Sequence, residues 1–286
     1  MRILSSLATF VALTVSFACS GGDSPTSPGA PTPGSTVRYA AVGASDVVGI
    51  GSSRPCALPF EDCDGNSYVF VAARQLRSQN FTVSVAALGL PAAVTSRGFL
   101  DLAHQYGRND VPFNLIQSAM PFVPRDSTLV TIFTGANDVN VVLTALGLGA
   151  GGSNPAGFID EKIAAFKTDF ATLVSGIRDR AGSARIVAFN VPNLAGLPYQ
   201  ATAPLLQRQA AQRAAVGMSA AVNATPGITV VDLMCDPRLY DRGNLYSDGF
   251  HPNDNGYALM AAEVVKALTS ASYPAPASSC GQMGLY

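Results

Sequence analysis

The chain has 286 residues, of which 48% are hydrophobic and 13% are charged. This composition is too apolar for a disordered protein, and 18 basic against 19 acidic residues, with no run of like charge, exclude a surface built to bind nucleic acid. We therefore expect a globular protein that binds a small, neutral molecule and no nucleic acid.

The N-terminus has the pattern of an export signal. A basic start precedes a mostly apolar stretch at residues 3–17, and the small residue Ala18 stands directly before Cys19. Residues 16–19 resemble a bacterial lipobox, which implies that Cys19 becomes the lipidated first residue of the mature protein. Ordinary cleavage after Ala18 stays open. We predict a signal peptide at residues 1–18 and export, either to the bacterial cell envelope as a lipoprotein or, without lipidation, as a periplasmic or secreted protein.

The segment that follows the signal is predicted to be a tether. Residues 19–36 are rich in Gly, Ser, Pro and Thr, a composition that cannot bury a core. Residues 37–286 contain no internal repeat and no credible interior linker, so we predict that they form one domain. A Gly-rich segment at residues 147–157 is expected to lid a site or to cap a helix.

Four cysteines remain when Cys19 is set aside, an even number that suits an oxidising compartment. Four cysteines can pair in three ways, and the sequence does not choose among them. Because two lie in one loop and two lie near the C-terminus, we favour pairing Cys56 with Cys63 and Cys235 with Cys280. None of them forms a C-x-x-C motif and the chain has only two histidines, so we predict no metal site.

Short apolar or β-branched runs alternate with stretches of helical periodicity along the rest of the chain. The strand candidates are residues 37–42, 81–87, 128–134, 184–191 and 228–233. The helix candidates are residues 67–76, 158–180, 203–222 and 255–269. Strands that alternate with helices predict a three-layer α/β/α sandwich around a central, mostly parallel five-stranded sheet.

Short motifs follow the ends of the predicted strands. This is the edge at which parallel sheets bind their ligands. The motifs are Gly43-Ala44-Ser45-Asp46, Leu88-Gly89, Gly135-Ala136-Asn137-Asp138 and, before the last helix, Asp248-Gly249-Phe250-His251-Pro252. Each is short, and taken alone it is more often a turn or a helix start than a site. Their joint occurrence at one edge of the sheet is what indicates a functional site.

These motifs contain the groups that ester hydrolysis needs: a nucleophile, a base, a group that orients the base, and donors for the oxyanion. Ser45 is the candidate nucleophile and His251 the candidate base. Asp248 lies three residues before His251, so that one turn can bring its carboxylate to the imidazole Nδ1–H and leave Nε2 facing Ser45. His104 has no carboxylate at a useful spacing and is expected to be structural.

In these motifs and in their order, the chain resembles the SGNH/GDSL hydrolases, whose signature is four short blocks. The resemblance implies a catalytic triad of Ser45, Asp248 and His251. It also implies an oxyanion hole made by the backbone N–H groups of Ser45 and Gly89 and by the side-chain amide of Asn137.

Three positions depart from the family pattern within the matching region, residues 37–271. Ala44 replaces the usual Asp, Asp46 stands where Leu is common, and Ala87 stands where the family often has Asn. We expect Asp46 to cap the helix that follows, the alternative being that it shapes the substrate pocket.

The resemblance implies a serine esterase that hydrolyses carboxylic ester bonds, in lipid, acyl or acetyl esters, through an acyl-enzyme. It implies no metal and no cofactor. We expect a monomer that acts on a small-molecule ester and contacts a membrane only through a possible lipid anchor at Cys19. The alternative, motivated by the departures at Ala44 and Ala87, is a surface-exposed binding lipoprotein that keeps the fold without efficient turnover.

Overall fold

A computed structural model describes residues 29–56 and 63–285. Its centre is a five-stranded sheet in the order β2-β1-β3-β4-β5, and each neighbouring pair of strands is parallel. The strands are β1 (Thr36–Gly43), β2 (Thr82–Gly89), β3 (Leu129–Phe133), β4 (Arg185–Phe189) and β5 (Thr229–Val231). Each strand overlaps its predicted range, so the predicted parallel sheet is confirmed.

Helices cover both faces of this sheet. The α-helices among the described residues are α1 (Ser45–Val48), α2 (Tyr68–Ser78), α3 (Arg97–Gln105), α4 (Leu115–Ser118), α5 (Ala136–Gly147), α6 (Pro155–Arg180), α7 (Leu205–Asn223) and α8 (Asp254–Thr269). Helices α2 and α8 pack on one face, and α3, α5, α6 and α7 pack on the other.

The central strand β3 shows how the sheet separates two apolar cores. All five of its residues are buried. Val130 and Ile132 belong to the core under α5 and α6, whereas Leu129 and Phe133 belong to the core under α2 and α8. Because successive strand residues point to opposite faces, a strand buried on both sides is almost entirely apolar. The exception in β3 is Thr131, whose hydroxyl lies 3.0 Å from the Tyr39 hydroxyl. The three-layer α/β/α architecture is therefore confirmed.

Helix α5 was not predicted, although it carries part of the site. Its sequence contains three β-branched valines and two asparagines, residues with poor helix propensity. The helix starts after Gly135, which has φ +107, and a Cβ at that position would come within 2.5 Å of the Val191 side chain. Packing on the sheet, rather than local propensity, holds this helix in place.

Two disulfides link the cysteines in the arrangement that the sequence favours, Cys56 with Cys63 and Cys235 with Cys280. The second fastens the C-terminal tail to the molecule. The tail is also held by Asn193, whose side-chain amide donates to the carbonyl oxygens of Gln282 and Gly284, each at 2.8 Å.

The predicted signal peptide and Cys19 lie outside the residues that the structure describes. Within residues 29–56 and 63–285, no helix is long and apolar enough to cross a membrane.

Candidate active site

Ser45 lies at the carboxyl edge of the sheet, at the first residue of α1 and two residues after the end of β1. Gly43 makes this position possible, because a Cβ there would come within 2.7 Å of the Phe133 carbonyl oxygen on the neighbouring strand. Ser45 is buried, with a relative exposure of 6%. It lines a small cavity, which we call the nucleophile cavity, together with Ala93, Asn137 and Phe250.

His251 contacts Ser45 although 206 positions separate them in the chain. Its Nε2 lies 2.9 Å from Ser45 Oγ, and its Nδ1 lies 2.6 Å from Asp248 Oδ2. The other carboxylate oxygen of Asp248 accepts hydrogen bonds from the backbone N–H groups of Phe250 and His251, at 2.9 and 3.0 Å. One carboxylate therefore fixes both the turn and the imidazole that the turn carries.

The charge on Asp248 suits this arrangement. Partial burial raises the pKa of the Asp248 carboxyl, but the hydrogen bonds from His251 and from the backbone outweigh burial, so that its pKa lies below the ordinary value. Asp248 is thus ionised at neutral pH and accepts a hydrogen bond from the Nδ1–H of His251. In that tautomer Nε2 is left as the acceptor for the Ser45 hydroxyl proton.

Asn137, on the first turn of α5, faces Ser45 across the nucleophile cavity. Its Nδ2 donates to the Ala93 carbonyl oxygen at 2.9 Å. An amide group has two N–H donors, so this bond fixes the side chain while a second N–H stays available. The geometry allows that second donor to serve a group bound next to Ser45.

Gly89 ends β2 directly beside Gly43, the last residue of β1. A Cβ at Gly89 would meet the side chains of Val47 and Val48, so glycine lets α1 pack closely on the end of β2. The role of the Gly89 backbone N–H in the oxyanion hole stays a prediction. Ala93, four residues further on, lines the nucleophile cavity. The sequence carried no signal for Ala93, because an alanine in a loop has no distinguishing chemistry.

Asp46 is the second residue of α1, whose N-cap is Ala44, so the expected capping role is wrong. The residue instead lines the nucleophile cavity and a second, adjacent cavity. Burial raises the pKa of its carboxyl, and the nearby His251 opposes this effect.

His104 and the Gly-rich segment lie away from these cavities. His104, near the end of α3, has its Nε2 2.9 Å from the carbonyl oxygen of Val111 in the loop that follows the helix. The segment at residues 147–157 joins α5 to α6, and none of its residues lines either cavity beside Ser45.

A buried network next to Asn137 holds the chain segment that contains Ala93. Asp138 is fully buried and accepts a hydrogen bond from the Thr95 backbone N–H at 3.0 Å, and its other oxygen lies 3.2 Å from the Thr95 hydroxyl. That hydroxyl lies 2.8 Å from the hydroxyl of Thr134. Burial raises the pKa of the Asp138 carboxyl to about 7, against the lowering effect of the Thr95 bonds.

Replacing Asp138 with Asn should change how stability depends on pH. Because the pKa of Asp138 is higher in the folded chain than the ordinary 3.8, its stabilising contribution is complete below pH 4 and is lost as pH rises to about 7. One pKa unit corresponds to about 1.4 kcal/mol, so the loss is at most about 4 kcal/mol. We expect Asp138→Asn to become more stable relative to the wild type as pH rises from 4 to 8, measured by urea unfolding.

The exposed Asp179 on α6 provides a control, since Asp179→Asn should leave the pH dependence of the wild type in place. A constant difference between Asp138→Asn and the wild type from pH 4 to pH 8 would contradict the raised pKa of Asp138.

Solved structures with the same fold cover most of this chain. An extracellular lipase from Streptomyces rimosus is 19% identical with a TM-score of 0.53, and the match covers 82% of this chain and 100% of the lipase. A phospholipase A1 from Streptomyces albidoflavus is 19% identical with a TM-score of 0.53, covering 81% and 99%. A lipase from a goat rumen metagenome is 17% identical with a TM-score of 0.54, covering 82% and 98%.

No curated protein sequence matches the chain. The sequence pattern of the GDSL-like lipase/acylhydrolase family, in contrast, matches residues 41–259, which include every residue of the site described above. The chain therefore belongs to the GDSL-like lipase/acylhydrolase family and is a hydrolase that acts on esters.

Proposed function

We propose that this protein is a serine esterase that cleaves carboxylic esters through a Ser45-His251-Asp248 triad and an acyl-enzyme. The observation that carries the proposal is the continuous line of contacts from Asp248 Oδ2 to His251 Nδ1, at 2.6 Å, and from His251 Nε2 to Ser45 Oγ, at 2.9 Å. The first contact holds the imidazole in place, and the second is short enough for the Ser45 proton to move to Nε2.

In the first half of the reaction, Ser45 Oγ attacks the carbonyl carbon of the ester while its proton moves to His251 Nε2. The carbonyl π electrons move to oxygen and give a tetrahedral oxyanion. This intermediate collapses, the bond between carbon and the alcohol oxygen breaks, and the alcohol leaves with the proton from His251. The negative charge of Asp248 stabilises the transient imidazolium.

In the second half, water attacks the acyl-enzyme and gives its proton to His251. The bond to Ser45 Oγ then breaks, the serine recovers its proton, and the carboxylic acid leaves. These steps use the side chains and main chain of this protein together with the ester and one water molecule.

Three donors are proposed to stabilise the oxyanion: the Ser45 backbone N–H, the Asn137 side-chain amide, and one backbone N–H from the segment at residues 89–93. Within that segment the resemblance to the family implies Gly89. The Ala93 N–H is already used in a turn, since it donates to the Leu90 carbonyl oxygen at 3.0 Å. We therefore keep the third donor at Gly89.

The expectations for cell location remain proposals. The two disulfides support export to an oxidising compartment. We further propose a monomer, attached to the envelope only where Cys19 is lipidated.

A fluorophosphonate probe, which phosphonylates activated serines, tests the proposed function. We expect rapid labelling of the wild type and no labelling of Ser45→Ala. The buried Ser219 on α7 gives a matched control, since Ser219→Ala should be labelled like the wild type. Equal failure of the wild type and Ser45→Ala to react would instead support the binding lipoprotein.

A further inference from the structure

A small apolar cavity, which we call the side cavity, opens next to Ser45. It shares four wall residues with the nucleophile cavity, namely Asp46, Phe133, Ala136 and Phe250. The rest of its wall is aliphatic and includes Leu197, Leu239 and Met260. A substituent of a group bound at Ser45 can therefore enter the side cavity without leaving the site.

The side cavity is suited to a short chain. Its volume is about 40 Å³, and since a cavity of about 150 Å³ holds benzene, there is room for roughly two carbon atoms. This volume favours an acyl group of about three carbons, counting the carbonyl carbon.

Asp46 is an unusual residue in the wall of an apolar cavity. Among the residues that the structure places in the wall, it is the only one with an ionisable side chain, and its relative exposure is 9%. Burying a carboxyl group without good hydrogen bonds costs free energy, and replacing it with an aliphatic residue would remove that cost. A carboxyl at this position calls for a polar partner.

The protein itself supplies a poor partner. The Tyr257 hydroxyl lies 3.5 Å from Asp46 Oδ1, which is the limit of a hydrogen bond. The same hydroxyl donates to the Ile50 carbonyl oxygen at 2.6 Å, which uses its single proton. The backbone N–H of Asp46 lies close enough to the carboxyl to lower its pKa. Part of the hydrogen-bonding capacity of the carboxyl is therefore left to whatever occupies the cavity.

We propose that the side cavity is an acyl subsite in which the Asp46 carboxyl recognises a hydroxyl group, so that the preferred substrates are esters of short hydroxy acids. Asp46 lines both the nucleophile cavity and the side cavity, which places its carboxyl beside the first carbons of an acyl chain that extends from one cavity into the other. A hydroxyl donates to a carboxylate and accepts from a carboxylic acid, so it fits either protonation state of Asp46. The inference rests on the proposed esterase function.

Three ethyl esters of equal chain length test the proposal: propionate, 2-hydroxypropionate and 3-hydroxypropionate. Each kcat/KM, measured by pH-stat titration, is divided by the rate constant of hydroxide-catalysed hydrolysis, because a hydroxyl also activates the ester chemically. We expect the wild type to favour one of the hydroxy esters over propionate by at least about tenfold, because a site built around a hydrogen bond discriminates strongly against a substrate that lacks it.

Two variants separate recognition from other roles of Asp46. Asp46→Leu should lower the ratio of hydroxy ester to propionate at least about fivefold, and Asp46→Asn, which keeps the shape and hydrogen bonding, should lower it less. Asp179→Asn, at an exposed aspartate on α6 that lines neither cavity, should leave this ratio as in the wild type.

The proposal is overturned if the wild type prefers neither hydroxy ester to propionate. It is also overturned if Asp46→Leu loses the same factor of kcat/KM on all three esters, because Asp46 would then act on His251 rather than on substrate. The wild-type ratio decides the question even if Asp46→Leu does not fold. Failure of the proposed function looks different, because none of the three esters would then be hydrolysed faster by the wild type than by Ser45→Ala.

Discussion

Replacing Ser45 or His251 with alanine is expected to lower kcat for ester hydrolysis by a factor on the order of a thousand or more. Ser45→Ala removes the atom that forms the acyl-enzyme. His251→Ala leaves that atom without an acceptor for its proton, because the bond of 2.9 Å to Nε2 is lost. The measurement is steady-state hydrolysis of a short-chain p-nitrophenyl ester, with the melting temperature recorded for each variant.

The double variant, with both Ser45→Ala and His251→Ala, tests whether the two residues act together. If Ser45 and His251 act as one unit, the second substitution should cost little once the first is made, so that the double variant is about as slow as either single one. Ser219→Ala, at a buried serine on α7, should keep the turnover of the wild type. Near-normal turnover by Ser45→Ala, or multiplied losses in the double variant, would refute the triad.

The sheet was predictable because its strands are buried, and burial requires apolar residues that the sequence shows. A strand such as β3, covered on both faces, is apolar over nearly its whole length, and short apolar runs with turn residues at their ends predicted the strands. The polar residues after those strands were then placed at one edge by topology alone. Parallel strands end at the same side of the sheet, which brings the ends of β1 and β3 together.

A different cause explains why some features of the site were not predicted. Asn137 was identified from its motif, but the helix that holds it, α5, has poor local propensity and forms because it packs on the sheet. Ala93 contributes main-chain atoms, for which any side chain would serve. The choice of Gly89 followed from the resemblance, whereas the packing of Val47 and Val48 over this glycine is a tertiary contact that no local pattern encodes.

Asp46 shows a third reason why the role of a residue could not be predicted from the sequence. A carboxyl in the first turn of a helix is ordinarily explained by the helix dipole or by capping, so a local reading favours that role. The position of Asp46 between two cavities depends on residues from β3, α8 and the loop after β4, which only the folded chain brings together.

Asn137→Ala is expected to lower kcat by roughly a hundredfold to a thousandfold while changing KM little. The free N–H of Asn137 faces the cavity beside Ser45, where negative charge appears on the substrate oxygen only as the tetrahedral intermediate forms. A donor that acts on this charge contributes more to the transition state than to substrate binding, which places its loss in kcat. Steady-state kinetics on one p-nitrophenyl ester measures both constants.

Two further variants separate this role from a structural one. Asn140→Ala, one turn further along α5, tests whether any truncation of the helix slows turnover, and it should not. Asn137 also donates to the Ala93 carbonyl at 2.9 Å, so its loss could displace Ala93 as well. Asn137→Asp keeps the size of the side chain but replaces the donor with a carboxylate oxygen, which repels the oxyanion, and it should be at least as slow as Asn137→Ala.

A change confined to KM would mean that Asn137 binds substrate without stabilising the intermediate, whereas equal losses of kcat in Asn137→Ala and Asn140→Ala would assign the effect to the helix.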